Sequence, residues 1–187
     1  MHLILASQSP RRRELLALLD HPFSIQVADV DETMDTSLSV EQAVADISRR
    51  KACAISAEPQ AVVVGADTVV VLDSQVLGKP KNPEDAYRML RALSGKTHRV
   101  MTGLCVRKGS TVITHTEVTK VHFRELTEKE IAAYIATGEP MDKAGAYGIQ
   151  GGAAPFISGI EGDYYNVVGL PVCRLGMILR EIMEETV

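Results

Sequence analysis

The sequence predicts an α/β fold, a sheet covered by helices, and three observations carry that prediction. Ala61 to Leu72 reads Ala-Val-Val-Val-Gly-Ala-Asp-Thr-Val-Val-Val-Leu. A continuous β-branched run of this kind is the pattern of a strand buried on both faces. Helix-start signals, a Ser, Asn or Thr cap before an apolar-periodic stretch, recur along the chain. Strand-like segments alternate with these helices.

At the centre of the Val-rich strand stand Gly65 and Asp67. An unpaired buried carboxylate is costly, so Asp67 calls for a cation, a metal or hydrogen-bond donors beside it. Gly65 marks a bulge or a close approach of backbone or ligand. A structural ion pair remains the plainer alternative for Asp67.

Composition sets the bounds. The chain has 187 residues, 45% hydrophobic and 24% charged, which suits one domain with a large core. A net charge of −4 argues against a broad nucleic-acid-binding surface, while leaving room for a local anion site. Cys53, Cys105 and Cys173 are far apart and form no C-x-x-C, as expected of free thiols in a reducing compartment. The apolar start, Met1 to Ala6, is too short for a signal peptide, and no apolar run approaches the ~20 residues of a membrane span. The expectation is a soluble, cytoplasmic protein.

Taken in order, Leu3 to Ala6 reads as a short buried strand. Ser9 then caps a helix with Pro10 at its first position, and Arg11 to Leu19 continues it with Leu15, Leu16, Leu18 and Leu19 as the apolar face. Arg11, Arg12 and Arg13 in the first turn oppose the helix dipole, a cost that a bound anion would offset. A solvated basic turn paired with acids explains them equally well.

Phe23 to Val30 alternates like a strand and runs into the acidic cluster Asp29, Asp31, Glu32 and Asp35. Such clusters are usually solvated. If this one lies at a sheet edge beside Asp67, two carboxylates from separate loops could hold Mg²⁺, with phosphate oxygens completing the shell. Ser39 to Ala57 is a long amphipathic helix. Its Lys51 could reach a phosphate, although a lone surface lysine is the commoner role.

Asp73-Ser74 turns the chain into a return strand at Val76-Leu77, which meets Gly78-Lys79-Pro80, a lysine on a constrained backbone. Asn82 caps a helix from Pro83 to Leu93, ended by Ser94-Gly95. Ser94 to Thr97 looks like the end of a P-loop, but the required earlier glycine is Leu90, which excludes it. His98 to Lys108 and Thr111 to Glu125 form a hairpin about Gly109-Ser110. His98, His115 and His122 lack metal-ligand spacing and read as structural or surface residues. Thr127 opens a capping-box helix to about Thr137, with Gly138 at C′.

Gly138 to Gly152 holds five glycines in fifteen residues, with Asp142, Lys143 and Gln150 among them. Long ordered loops are usually functional, and glycine lets backbone N–H groups approach a ligand. The Gln150 amide, donor and acceptor at once, suits a base edge. Ala153 to Ile157 reads as a strand, Gly162 to Asn166 as a turn, and Pro171 starts a terminal helix reaching about Glu185. No G-x-G-x-x-G follows the first strand, which argues against a dehydrogenase.

Four stretches together resemble the Maf family: Leu-Ala-Ser-Gln-Ser-Pro-Arg-Arg (5–12), Gly-Ala-Asp-Thr (65–68) with Gly-Lys-Pro (78–80), Asp-Lys-Ala-Gly-Ala-Tyr-Gly-Ile-Gln-Gly (142–151), and Gly-Asp-Tyr-Tyr-Asn-Val-Val-Gly-Leu-Pro (162–171). The likeness spans essentially the whole chain, as a single Maf-like domain. It implies a mixed twisted sheet flanked by helices, in two lobes with a central cleft, related to the house-cleaning inosine triphosphatases. The implied activity is hydrolysis of a nucleoside triphosphate between the α- and β-phosphates, with dTTP and UTP as substrates rather than 7-methyl-GTP.

By the same resemblance Asp67 is the catalytic acid–base carboxylate. Arg12, Thr68 and Gln150 take part in substrate choice. Ser7, Glu32, Lys51, Lys79 and Lys143 line the cleft. Glu32 and Asp67 are the expected ligands of Mg²⁺ or Mn²⁺. A homodimer is common in the family, and neither a nucleic-acid nor a membrane partner is expected. The alternatives are a nucleotide-binding regulator of septation and cell division, and an inosine or xanthosine triphosphate pyrophosphatase.

Overall fold

A computed structural model describes residues 2–184. Seven strands form one mixed sheet: β1 (Leu3–Leu5), β2 (Phe23–Ile25), β3 (Val62–Leu72), β4 (Gln75–Leu77), β5 (Thr97–Lys108), β6 (Thr111–Phe123) and β7 (Ile157–Glu161). Their order is β2-β1-β3-β5-β6-β7, with β4 paired to β3. β1 pairs parallel with β2 and β3, whereas β4 on β3 and β7 on β6 are antiparallel. Six helices accompany the sheet: α1 (Pro10–Ala17), α2 (Val40–Cys53), α3 (Pro83–Leu93), α4 (Glu128–Ala136), α5 (Tyr164–Val168) and α6 (Val172–Glu184).

The chain divides into two compact units, residues 1–67, 102–117 and 169–187, and residues 68–101 and 118–168. In the first, the Val62–Val64 stretch of β3 is fully buried, as its β-branched run requires, and lies in register with Leu3–Leu5. Ile4, Ala6, Ala52, Ile55, Ala61, Val63 and Cys105 form a core cluster there. In the second, Val70, Leu77, Leu90, Val121, Phe123, Ile131, Tyr134, Tyr147 and Phe156 belong to one larger core.

The cap signals are used as read. Ser9, Asn82 and Thr127 each accept from the third helical N–H, and Thr127 and Ser39 complete capping boxes with Glu130 and Gln42. Gly138 takes the left-handed conformation, φ 76°, after α4.

Several boundaries differ from the sequence reading. β2 stops at Ile25 rather than Val30 because its partner β1 is only as long as Leu3–Leu5, and an edge strand ends with its ladder. Leu18 stands 60% exposed, so the apolar face of α1 narrows to Leu15 and Leu16. α2 ends at Cys53, where Arg107 Nε and Nη2 donate to the Ala52 and Ile55 carbonyls, a cation at a helix C-terminus. The strand placed at Ala153–Ile157 is a 3₁₀ turn, Ala154–Phe156, followed by β7; Pro155 has no N–H for a ladder. The turn at Gly162–Asn166 runs into α5, begun by the Asp163 carboxylate accepting from the Tyr165 N–H. Glu185, the end assigned to the terminal helix, lies outside the described residues. No helix among those residues is long and apolar enough to cross a membrane.

Candidate active site

The site in the first unit is organised by the seat of α2. A Cβ on Gly65 would lie 2.3 Å from the Ser48 carbonyl oxygen, and one on Gly103 of β5 would lie 2.2 Å from that of Val44. Two glycines therefore let α2 lie directly on strand backbone, and a side chain on either would lift it away. Of the meanings open for Gly65, the close backbone approach is the correct one.

That seat delivers Lys51, on the same turn as Ser48 and Ala52, to the strand it overlies. Lys51 Nζ lies 2.7 Å from Asp67 Oδ1 and 3.0 Å from Glu32 Oε2. Only 13% of the Lys51 side chain and 15% of the Asp67 side chain are exposed. Lys51 is thus not the lone surface lysine that its helix position suggested; one ammonium bridges two carboxylates from separate segments. The acidic loop does come to the sheet beside Asp67. Arg50 holds it there by donating to the Asp31 and Thr33 carbonyls, while Asp31 and Asp35 close local turns on Thr33 and Ser37.

Arg12 approaches from α1. Its Nε donates to the Gly169 carbonyl at 2.9 Å and its Nη1 to Ser7 Oγ at 3.3 Å, and Ser7 Oγ also accepts from the Ser9 N–H. Burial pulls the Arg12 pKa below its ordinary value, and the nearby Asp67 carboxylate opposes the pull. Ser7, Arg12, Glu32, Lys51 and Asp67 thus form one group.

The remaining predicted residues lie in the second unit. Thr68 follows Asp67 on β3. Lys79 is exposed next to the buried Pro80. The Gly145 N–H donates to the Gly78 carbonyl at 3.0 Å, which ties the Lys79 segment to the glycine-rich stretch carrying Lys143 and Gln150. Lys143 pairs with Asp142, and Gln150 is exposed in the following turn.

The glycines of that stretch serve a different end from the one expected. The N–H groups of Gly145, Gly148, Gly151 and Gly152 donate within the protein, to Gly78 O, Tyr134 Oη, Gly148 O and the Glu139 carboxylate. They shape the loop rather than present amides to a ligand. Ala146 and Tyr147 face the core, where Tyr147 Oη bonds His98 Nε2 at 2.7 Å.

Glu32 and Asp67 fit a hard divalent cation. They are two carboxylates already drawn to one positive charge, and Mg²⁺ commonly takes one or two carboxylates plus substrate phosphates. No group of three His, Cys, Asp or Glu side chains that could hold a metal ion occurs among the described residues.

A sequence profile described as Maf-like protein matches residues 2–182. The chain belongs to the Maf family. It is 54% identical over 173 residues to a dTTP/UTP pyrophosphatase of Geobacillus sp. (strain WCH70), covering 92% of this chain and 93% of that protein. A dTTP/UTP pyrophosphatase of Alkaliphilus oremlandii (strain OhILAs) is 50% identical over 182 residues, 95% and 94% of the two chains. Among solved structures, a HAM1 protein from Coxiella burnetii aligns with a TM-score of 0.53 at 14% identity, covering 97% of this Maf chain and 99% of that one, a likeness of fold alone.

Three residues escaped the sequence reading, two that position the Maf cluster and one in the glycine-rich stretch. Gly103 interrupts a buried strand as Gly65 does, and that shared pattern was the available signal. Gly169, at φ 132°, supplies the carbonyl for Arg12. Glu139 gave no signal at all, since a carboxylate between Gly138 and Pro140 reads as solvated.

Proposed function

We propose that this chain is a nucleoside triphosphate pyrophosphatase acting on dTTP and UTP, releasing the monophosphate and pyrophosphate. The observation that carries the reading is the Lys51–Asp67–Glu32 cluster beside Arg12, in a Maf chain about half identical to proteins named dTTP/UTP pyrophosphatase. Phosphoryl transfer needs neutralised oxygens, an aligned water and a stabilised leaving group.

Arg12 binds phosphate from a guanidinium fixed at Nε and Nη1, which leaves its orientation preset. Asp67 orients the attacking water and accepts its proton through the oxygen not engaged by Lys51, and Lys51 steadies the carboxylate. Lys79 and Lys143 add positive charge, Ser7 holds Arg12, and Thr68 and Gln150 contact the nucleoside. Glu32 and Asp67 would hold Mg²⁺ or Mn²⁺, which when bound supplies charge neutralisation at the phosphates. The chain works as one Maf-like domain, and its three free thiols suit the cytoplasm.

The test is pyrophosphate release from a panel of canonical and modified triphosphates with Mg²⁺, Mn²⁺ or EDTA. Turnover should be metal-dependent and strongest on dTTP and UTP, and Asp67→Asn should lower it by about 10²–10⁴-fold. Asp67→Asn activity within tenfold of wild type would remove Asp67 from the role. An absence of turnover on every nucleotide would remove the function.

A further inference from the structure

Glu139 lies outside every residue assigned above, yet it makes more contacts with the glycine-rich stretch than a solvated acid would. Its Oε1 accepts from Tyr134 Oη at 2.9 Å. Both carboxylate oxygens accept from the Gly152 N–H, at 3.2 and 3.0 Å. Its backbone carbonyl accepts from Lys143 Nζ at 3.4 Å. Tyr134 Oη in turn accepts from the Gly148 N–H at 3.1 Å. The carboxylate, at Gly152, and the Tyr134 phenol bonded to it, at Gly148, therefore hold the two ends of the turn from Gly148 to Gly152, at whose exposed centre stands Gln150.

The glycines match this arrangement. A Cβ on Gly151 would lie 2.1 Å from Glu139 Oε1, one on Gly152 3.2 Å from the Tyr134 ring, and one on Gly148 3.0 Å from Lys143 Cε. A side chain at Gly151 would displace the Glu139 carboxylate from its place, and one at Gly148 or Gly152 would press on the lysine stem or the phenol ring. A carboxylate accepting from backbone N–H makes a charge-assisted bond, stronger than a neutral one, so it fixes the turn firmly.

We infer that Glu139 is a specificity-positioning residue: its carboxylate clasps the 148–152 turn and so sets the place of the Gln150 amide against the base of a pyrimidine nucleotide. The inference rests on the reading of Gln150 as a base-contacting residue. A side-chain amide reads a base edge only if its donor and acceptor are held in register, and loosening the turn leaves both groups present but unaimed. Reaction chemistry does not involve Glu139. Its loss acts on the choice between nucleotides.

The experiment measures kcat/KM for dTTP, UTP, dCTP and dGTP on wild type, Glu139→Gln, Gln150→Ala and the double variant, with thermal unfolding of each. Glu139→Gln should lower the preference for dTTP over dGTP by about tenfold, the effect of losing one charged hydrogen bond. The double variant should discriminate no worse than Gln150→Ala alone, because Glu139 acts through Gln150. A merely structural Glu139 would slow all nucleotides by one common factor and leave the ranking intact, and that result overturns the inference. Gln150→Ala with unchanged ranking would overturn the base-reading role itself, a separate failure. Should Glu139→Gln not fold, Tyr134→Phe removes one donor to the same carboxylate and must shift the ranking in the same direction.

Discussion

Gly65→Ala is the substitution whose consequence follows most directly from the packing of α2. The added Cβ would lie 2.3 Å from the Ser48 carbonyl oxygen and 3.0 Å from both N and Cβ of Ala52. These are backbone and first side-chain atoms, so no rotamer change relieves them. Helix α2 must withdraw by about 1 Å to restore ordinary contact, an overpacking that typically costs about 1–3 kcal/mol. Lys51 lies between the two contact points, so its 2.7 Å bond to Asp67 and 3.0 Å bond to Glu32 stretch with the helix. A misplacement of about 1 Å at a reacting group is worth on the order of 10²-fold in rate.

Two assays read the variant, pyrophosphate release from dTTP and thermal unfolding. The expected result is a rate loss near that factor with a melting temperature lower by about 2–4 °C per kcal/mol lost. Gly159→Ala is the control. Its Cβ would meet only His122 Cδ2, at 3.7 Å, an ordinary contact, and it should stay within about 0.5 kcal/mol of wild type. A Gly65→Ala protein that is destabilised yet fully active would refute the argument that the helix seat positions Lys51.

Further predictions concern titration and thiols. Burial holds the His98 pKa down at about 4, against 6.5 when exposed, with His122 adding a smaller push in the same direction. The unfolded chain therefore binds the extra proton first, so stability should fall as pH drops from about 6.5 to about 4, by about 3 kcal/mol in full. Urea unfolding across that window should show a shallower slope for His98→Gln, and an equal slope would refute the assignment. Burial pushes the Cys105 thiol up to about 12, whereas Cys53 and Cys173 are exposed. A thiol reagent should label those two in the native protein and Cys105 only on unfolding; labelling of all three together would contradict the packing.

The sequence by itself determined most of the elements, β7 and α5 excepted. Caps at Ser9, Asn82 and Thr127 are local chemistry, formed between residues three apart, and so they are legible without a fold. The Val-rich strand declared its burial, and Asp67 declared a need for a partner because a lone buried carboxylate is untenable. Resemblance to the Maf family then selected the other site residues.

Tertiary structure decided what no local pattern encodes. Lys51, sixteen positions before Asp67, became its partner because Gly65 and Gly103 admit α2 onto the strands. β2 shortened because its neighbour β1 is short. The glycine-rich stretch, read as a cradle of free amides, spends those amides on Tyr134, Glu139 and its own turns. For Lys51 and β2 the determining atom lies on another element of the chain. Sequence periodicity reports which face of an element is buried, but only the packed structure fixes what is buried against it.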